Sequence, residues 1–598
     1  MISLANTKDG PPDNVPARRL VAAAAAPDDF DPARDTAIGP WCFAAQGDSV
    51  PGWESYDYPN PVVDADAAKQ ADDAVAALAN RLLPELAKEM NTRHGVSYST
   101  AYWHVLLMRW LLELLTQAYC RYGEAKAFLA TNGDAPFTAA LAPAEQTWIF
   151  ETIAAFYTDG LRNVDFNAWL SGLALRALAP AAATLTDGPA ARRRDRPTGD
   201  KKPVPRAGWL RALRGALSSE RVRFSGDFAE VTGWDRLRSA LAQGAIDVWL
   251  RVIPPKRTIR RPDPATVDTS AADRLDLGFV RMVRFIRPRA LPRCFDEDFR
   301  LWHDVALTRT VRPGRLNVQV PAFMLDEARL FRLARAVESG EGLVFVQHGA
   351  NYGMARAYSL GSEIEYRHHA FLTWGWRRHG DYAGNFVPLP APQLSAWRAR
   401  SSGNDGTLLF VGTFVHMVMA RLISVGAPFN LTWIRRQKDA FIEGLAGTAR
   451  DALRYRPYPE TENGVPDWPY FSVRHPRLQP QQGNFHQALR RCRLLVLDHP
   501  GLTFQLAMAT NVPAIGFWNP ESWPRAPEAA DLFGRLEKLG IVFDNGAAAA
   551  ARVNELWDDV EGWWRRPDIQ AARDDFCRHH ARSSRWWWWP WMKTLAAL

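Results

Sequence analysis

The sequence predicts an α/β fold with a helical elaboration towards its N-terminus and further helices closing the chain. Three observations predict it. From Val320 onward, short apolar runs alternate with helical patterns, the arrangement of βαβ units on a parallel sheet. Two of those runs stop at polar, glycine-containing turns, Gln347-His348-Gly349 and Asp498-His499-Pro500-Gly501. Such turns put side chains at the carboxyl edge of a sheet, where open α/β folds bind ligands. Before residue 180, the chain instead carries long helical patterns.

Taken in order, residues 1–36 are rich in Ala, Pro and Asp and are expected to form a mobile arm, although Arg19-Leu20-Val21 also fits a first strand. Ala67–Met90 and Ser99–Tyr122 read as long helices, the second so apolar around its circumference that it must be largely buried. Another helix is expected over Ala142–Tyr157. Residues 180–265 contain a charged, Pro-punctuated run and are expected to be an insertion or linker. Within them, Trp209–Leu217 and Trp234–Gln243 read as helices, and Ala245–Ile253 as strand-like.

Strands are expected at Leu343–Gln347, Phe371–Trp374, Leu408–Val411, Leu494–Leu497, Ala514–Phe517 and Ile541–Phe543. The helices between them are expected at Leu325–Ser339, Val415–Val425, Lys438–Leu453 and Phe485–Arg491, with Ala548–Trp564 and Ile569–His579 closing the fold. The tail, residues 581–598, clusters tryptophans from Trp586 to Trp591. Exposed, they would invite association. Either the indoles pack back on the protein, or they and the flanking Arg and Lys contact a membrane interface.

Composition narrows the function. Of 598 residues 47% are hydrophobic, enough for sizeable cores and too many for global disorder. The formal net charge of +8 is spread without a dominant basic run, which suits anionic small molecules such as nucleotide sugars better than nucleic acid. Five widely spaced cysteines fit a reducing compartment rather than a disulfide framework or zinc ribbon. With no signal-peptide pattern and no apolar run of ~18–20 residues, a cytoplasmic protein is expected. No P-loop, HExxH, zinc-spaced cluster or GxSxG elbow is present.

Two edges carry the candidate chemistry. At the first, His348 changes charge near neutral pH, and Glu363 and Glu365 are close enough in sequence to share its cleft. A carboxylate and an imidazole there suit group transfer, by deprotonating an acceptor hydroxyl or attacking an anomeric carbon. A structural histidine satisfying a turn is the competing reading. Gly349, Tyr352, Gly353, Trp374 and Trp376 would line that cleft. At the second edge, free N–H groups at a helix N-terminus, with Asp498, His499, Gly501 and Thr503, form a phosphate site. Arg454, Arg456, Arg474 and His475 would add cationic partners. An ordinary βα turn is the competing reading. Trp518 and Asn519 end a further strand and would wall a base or pack beside the cleft.

The segments GPWC, RHGVSYSTAYWHVLLMRWL, VQHGANYG, FLTWGW, RLLVLDHPGLTF, NVPAIGFWNP and VNELWDDVEGWWRRPDIQAARDDFC, in this order, resemble a family of transferases from bacterial surface-carbohydrate and O-antigen loci. More distantly, an HP pair followed by the Asp498–Thr503 turn is similar to GT-B enzymes that use CMP- or CDP-activated donors: β-Kdo transferases, bacterial sialyltransferases and glycerophosphotransferases. The resemblance implies two Rossmann-like domains facing a cleft, an acceptor domain over 37–400 and a nucleotide-donor domain over 401–580. In that scheme Arg474, His475 and the Asp498–Thr503 turn hold the nucleotide, and His348 with Glu363 or Glu365 faces the transferred group. One departure stands out: GT-B enzymes often place a Glu on the nucleotide ribose, but here Leu506 stands there, with Gln505 as a substitute if the register shifts.

The function expected on this basis is transfer of a sugar, such as a Kdo-like ulosonic acid, from a nucleotide-activated donor to a surface-polysaccharide acceptor, glycan or lipid-linked. No metal or other cofactor is expected, because helix termini and arginines can neutralise the leaving group. Peripheral contact with the inner membrane through the tail is part of the expectation. The alternatives are a CDP-alcohol phosphotransferase of the glycerophosphotransferase type and a non-catalytic scaffold of a polysaccharide assembly complex.

Overall fold

The structure, a computed structural model, describes residues 18–598 apart from 24, 25, 27, 44–52, 54, 55, 57, 63, 190–220, 225–240, 243, 251–257, 264, 265, 322–324, 399–403, 419, 420, 423–429 and 460–463. Among the described residues the strands form three sheets, each wholly parallel. The chain is thus α/β, as its alternation predicts.

The first sheet joins β1 (Arg18–Val21), β2 (Asp35–Ala37), β3 (Phe137–Leu141) and β4 (Thr184–Asp187) in the order β2-β1-β3-β4. This corrects the expected arm for the described residues of 18–36, where the alternative first strand at Arg19-Leu20-Val21 stands instead. Leu20 and Val21 bury their side chains, and Asp35 is tied to both Arg19 and Arg34. The helix expected over Ala142–Tyr157 is largely irregular instead, with one helical turn at Ile153–Ala155 running into a π-helix at Phe156–Leu161.

Two long helices pack together beside this sheet. Ala65–His94 starts where the Asp64 carboxylate accepts hydrogen bonds from the Asp66 and Ala67 amides, both 2.8 Å, and stops at Gly95, whose φ of +64° suits glycine. Thr100–Asn132 follows the Ser99 cap and buries residues on every side, because it packs against Ala65–His94, Val164–Leu178 and Glu327–Glu338. Its all-round apolar sequence therefore forms an internal helix.

The second sheet runs in chain order: β5 (Val222–Phe224), β6 (Leu316–Gln319), β7 (Gly342–Val346), β8 (Ala370–Thr373) and β9 (Phe386–Pro388). Alternation along β7 divides two cores. Leu343 and Phe345 join the main core, whereas Val344 and Val346 join a second core with Trp587, Trp591, Met592 and Leu595 of the tail. The terminal helix Trp588–Ala597 thus covers the far face of this sheet, and each fully buried side chain of that kind contributes roughly 1.5–3 kcal/mol. The strand-like piece expected over Ala245–Ile253 is helical over 245–250 in this same core, and 251–253 lie outside the described residues. Ile246 and Leu250, four residues apart, supply its buried face. Trp209–Leu217 lies outside the described residues, as does Trp234–Gln243 except for Leu241 and Ala242, which are helical.

The third sheet contains β10 (Leu408–Val411), β11 (Leu453–Arg456), β12 (Gln479–Pro480), β13 (Leu494–Leu497), β14 (Ala514–Phe517) and β15 (Val542–Phe543). Its order, β12-β11-β10-β13-β14-β15, is that of a doubly wound Rossmann sheet, which reverses between β10 and β13. Sequence patterning missed β11, whose first residue, Leu453, it placed at the end of a helix over Lys438–Leu453. The helices are instead Leu431–Gly444 and Gly447–Asp451, separated where Gly447 takes φ +50°. The described part of the helix expected over Val415–Val425 is also corrected: Val415–Val418 is extended or bent, and His416 forms an isolated bridge to Gly464, while 419, 420 and 423–425 lie outside the described residues. No helix among the described residues is long and apolar enough to cross a membrane.

Candidate active site

The reversal of the third sheet positions the second edge. Asp498 follows β13, is buried, and points one oxygen 3.0 Å from His499 Nδ1 and the other 3.1 Å from Lys438 Nζ. Lys438, fully buried, also pairs with Asp467, to which Tyr455 donates a hydrogen bond of 2.7 Å. Burial alone would raise the Asp498 carboxyl, but the Lys438 charge and the His499 contact outweigh it and hold it below its ordinary value. His499 is thereby oriented by an ionised carboxylate, with its ring beside Gly501. A Cβ at residue 501 would stand 2.5 Å from His499 Cδ2 and Nε2. Gly501 caps the helix Leu502–Thr510, so the free N–H groups of that helix begin beside this imidazole.

At the first edge, the side-chain amide of Gln347 joins the two motifs seen in the sequence. Its Oε1 accepts from the Trp374 amide and from Trp376 Nε1, both 2.8 Å, and its Nε2 donates to Gly349 O. Gly353, at φ +71°, lies so close to the Trp376 ring that a Cβ would come within 2.6 Å of it. Trp374 and Trp376 are accordingly buried supports of the loop. Beneath it, the Tyr352 hydroxyl donates to Glu365 Oε1 at 2.7 Å and lies 2.9 Å from His348 Nδ1. Burial, assisted by Arg421 and Arg109, lowers His348 to about 4, and burial raises Glu365 to about 8 despite the Tyr352 bond and the same arginines. Both groups are therefore neutral at pH 7. Glu363 is separate, held by Arg367 at 2.5 Å and by Asn80 at 2.7 Å.

The two edges meet at one cavity of about 480 Å³. Ala350, Asn351 and Ala357–Leu360 come to it from the first edge, Thr413 and Phe414 from the end of β10, and His499–Leu502 from the end of β13. One further wall is helical, with Asp72 from Ala65–His94 and Glu113, Thr116 and Gln117 from Thr100–Asn132, and another is irregular chain that includes His416 and Arg421. Asp72 accepts from the Ser359 amide at 2.9 Å and from its hydroxyl at 2.7 Å. Burial nonetheless raises it to about 6. Arg162, stacked 4.3 Å over Tyr157, and Arg421 bring positive charge, and burial lowers His416 to about 4.

Of the residues singled out from the sequence, His499 and Gly501 line this cavity, while Asp498, His348, Gly349, Tyr352, Gly353 and Glu365 lie behind or beside its walls. Thr503 is half-buried, one residue beyond the lining. Arg474 and His475 sit elsewhere, both on Asp439 at 3.0 and 2.7 Å. Arg454 donates to carbonyls of Asp451 and Leu453; Arg456 is tied to Gln481 and Gly483. Trp518 is buried against Phe504 and Phe533, and the Asn519 side chain caps the turn at Glu521. Gln505 is fully buried and donates to His580 O at 2.9 Å, so its amide fixes the end of the helix Pro567–His580. Leu506 is buried beside it. Neither faces the cavity.

Sequence reasoning missed Asp72, Glu113, Thr116, Gln117, Arg162, His416 and Arg421. A signal existed for three of them: Glu113, Thr116 and Gln117 form a polar stripe at helical spacing on an otherwise apolar helix. Among the described residues, the side-chain group whose atoms approach closely enough to hold a metal is Asp439, Glu443 and His475. None of the three lines the cavity, and Asp439 already carries Arg474.

No similar sequence was found among curated proteins. Residues 19–595 do match the sequence profile of the LIC12162 family transferases, so nearly the whole chain, with both edges and the helical wall between them, belongs to that transferase family.

Proposed function

We propose that the protein is a GT-B-like glycosyltransferase that moves a sugar from a nucleotide-activated donor to a hydroxyl of a bacterial surface-polysaccharide acceptor. A CMP-linked, Kdo-like ulosonic acid is the first donor to try. The observation that carries this reading is the single cavity at the reversal point of the Rossmann sheet, with a helix N-terminus on one side and carboxylates on the other.

The donor phosphate would sit against the first N–H groups of Leu502–Thr510, where the helix dipole favours negative charge, with His499 and Arg421 adding donors. The acceptor would lie against the helical wall, its hydroxyls bound by Asp72, Glu113, Thr116 and Gln117. Asp72 would take the proton of the attacking hydroxyl as the new bond forms at the anomeric carbon. The bond from that carbon to the phosphate oxygen breaks with its electron pair, and the nucleotide leaves as the anion. His348, a weak base once lowered to about 4, and Glu365, which keeps its own proton at pH 7, are joined through Tyr352 and do not line the cavity, so they would support the loop rather than take the proton. Arg474 and His475 are left out of the donor site, because Asp439 engages both.

The test is thermal melting of the purified protein with CMP, CDP, UDP or GDP, since a ligand that binds only the native state raises its stability, by about 2.7 kcal/mol at a hundredfold excess over Kd. Stabilisation by cytidine nucleotides that is lost in His499→Ala supports the reading. A UDP or GDP preference keeps the glycosyltransferase and discards the ulosonic-acid donor. No shift with any of the four overturns it.

A further inference from the structure

The terminal helix Trp588–Ala597 has an outer face as unusual as its inner one. Inward, Trp591, Met592 and Leu595 fill the second core. Outward, Trp586 in the preceding turn is followed by Trp589, Lys593 and Ala597 at spacings of three, four and four residues, and all four are exposed. Trp586 is 61% exposed and Trp589 42%, at positions where a helix facing only water carries polar side chains. A second element extends the patch: Trp249, 38% exposed, stands 6.1 Å from Trp589, and its neighbour Val248 is 46% exposed.

Charge is distributed to match. The Arg585 guanidinium lies 5.7 Å over the Trp586 ring and Lys593 Nζ lies 4.9 Å over Trp589. Residues 581–598 contain Arg582, Arg585 and Lys593, and no Asp or Glu. Indoles prefer the headgroup level of a bilayer, where the ring is partly desolvated and its N–H stays hydrogen-bonded, and cations beside them meet lipid phosphates.

We propose that this stripe, Trp249, Trp586 and Trp589 with Arg585 and Lys593, docks the protein peripherally on an anionic lipid bilayer. The inner half of the helix is anchored in the second core, so docking requires no unfolding of the tail. The site is separate from the cavity, and the inference does not depend on the glycosyltransferase reading.

The experiment is flotation of the full-length protein with vesicles of phosphatidylcholine alone or of phosphatidylcholine with phosphatidylglycerol, with tryptophan emission recorded in parallel. The expected result is flotation with the anionic vesicles and a blue-shifted emission. The double variant Trp586→Ala/Trp589→Ala should weaken binding by roughly tenfold or more, and Arg585→Glu/Lys593→Glu should remove the preference for anionic lipid. Both variants replace exposed residues, so an unchanged melting temperature verifies their fold. No flotation of the wild type overturns the proposal, as does wild-type binding by the tryptophan variant. Concentration-dependent self-association relieved by that variant, without vesicle binding, also overturns it and assigns the stripe to a second copy of the chain.

Discussion

His499 Nδ1 lies 3.0 Å from Asp498 Oδ1, on the turn that ends β13 and opens the cavity. The pair is positioned from behind: Asp498 is buried against Lys438, which it shares with Asp467. One ammonium thus neutralises two carboxylates and fixes the direction of one imidazole. Lys438→Met should cost roughly 3–5 kcal/mol, because it leaves buried carboxylates without their cation, and urea denaturation at pH 7 measures it. The pH dependence follows from the depressed Asp498 carboxyl. Its contribution is present above the unfolded value near 3.8 and is lost as pH falls through the lower folded value. Lys438→Met should therefore flatten the acid limb of stability.

Gly501→Ala tests the same turn more locally. Gly501 has φ −85°, which any residue adopts, so the backbone is not strained. The added Cβ would meet the His499 ring at 2.5 Å and turn it away from its position. Nucleotide-induced stabilisation should disappear while the melting temperature of the free protein changes by the equivalent of less than about 1 kcal/mol.

Asp72→Asn should reduce transfer by roughly 10²–10⁴-fold, the range for a general base, while nucleotide binding persists. Burial raises this carboxyl to about 6, and only its ionised form accepts a proton. Wild-type turnover should therefore fall as pH drops through about 6, and the residual activity of Asp72→Asn should lack that limb. A full-rate variant would remove Asp72 from the mechanism.

Glu365 predicts the opposite sign in stability. Its folded value, raised to about 8 by burial, exceeds the ordinary 4.5. Between those values the unfolded chain loses a proton that the folded chain keeps, so stability falls as pH rises. Glu365→Gln keeps an oxygen for the Tyr352 hydroxyl and removes this titration. It should be more stable than the wild type at pH 7, by on the order of 1–3 kcal/mol, and should show a weaker decline towards pH 8. Chemical denaturation across pH 5–8 checks both.

Gly375→Ala should destabilise the protein by more than about 3 kcal/mol. Gly375 has φ +126°, and a Cβ there would stand 2.2 Å from Arg578 O, where the end of Pro567–His580 meets the FLTWGW segment. Loss of cooperative melting in this variant, against a small effect of Gly534→Ala, a helical position where an added Cβ meets nothing within 4 Å, would show that this close approach holds the crossing chain in place.

The sequence by itself determined the parallel α/β character, the strands Leu408–Val411, Leu494–Leu497 and Ala514–Phe517, and the internal nature of the Thr100–Asn132 helix. It also marked His348 and His499 as lying on two sheet edges. These are local properties: apolar run length, periodicity and turn residues are written in neighbouring positions. What only the tertiary structure decided is which residues share a site. Asp72 and His499 line one cavity although more than four hundred positions apart, and no local pattern encodes that pairing. Burial then divided the marked residues: it made His348 and Glu365 neutral supports around Tyr352, left Arg474 and His475 on Asp439, and set the Gln505 amide on His580 rather than at the cavity. The tail was divided in the same way. Its cluster of tryptophans is visible in the sequence, but docking on the second core buried Trp587 and Trp591 and left Trp586 and Trp589 exposed, because one helix face met the sheet and the other did not.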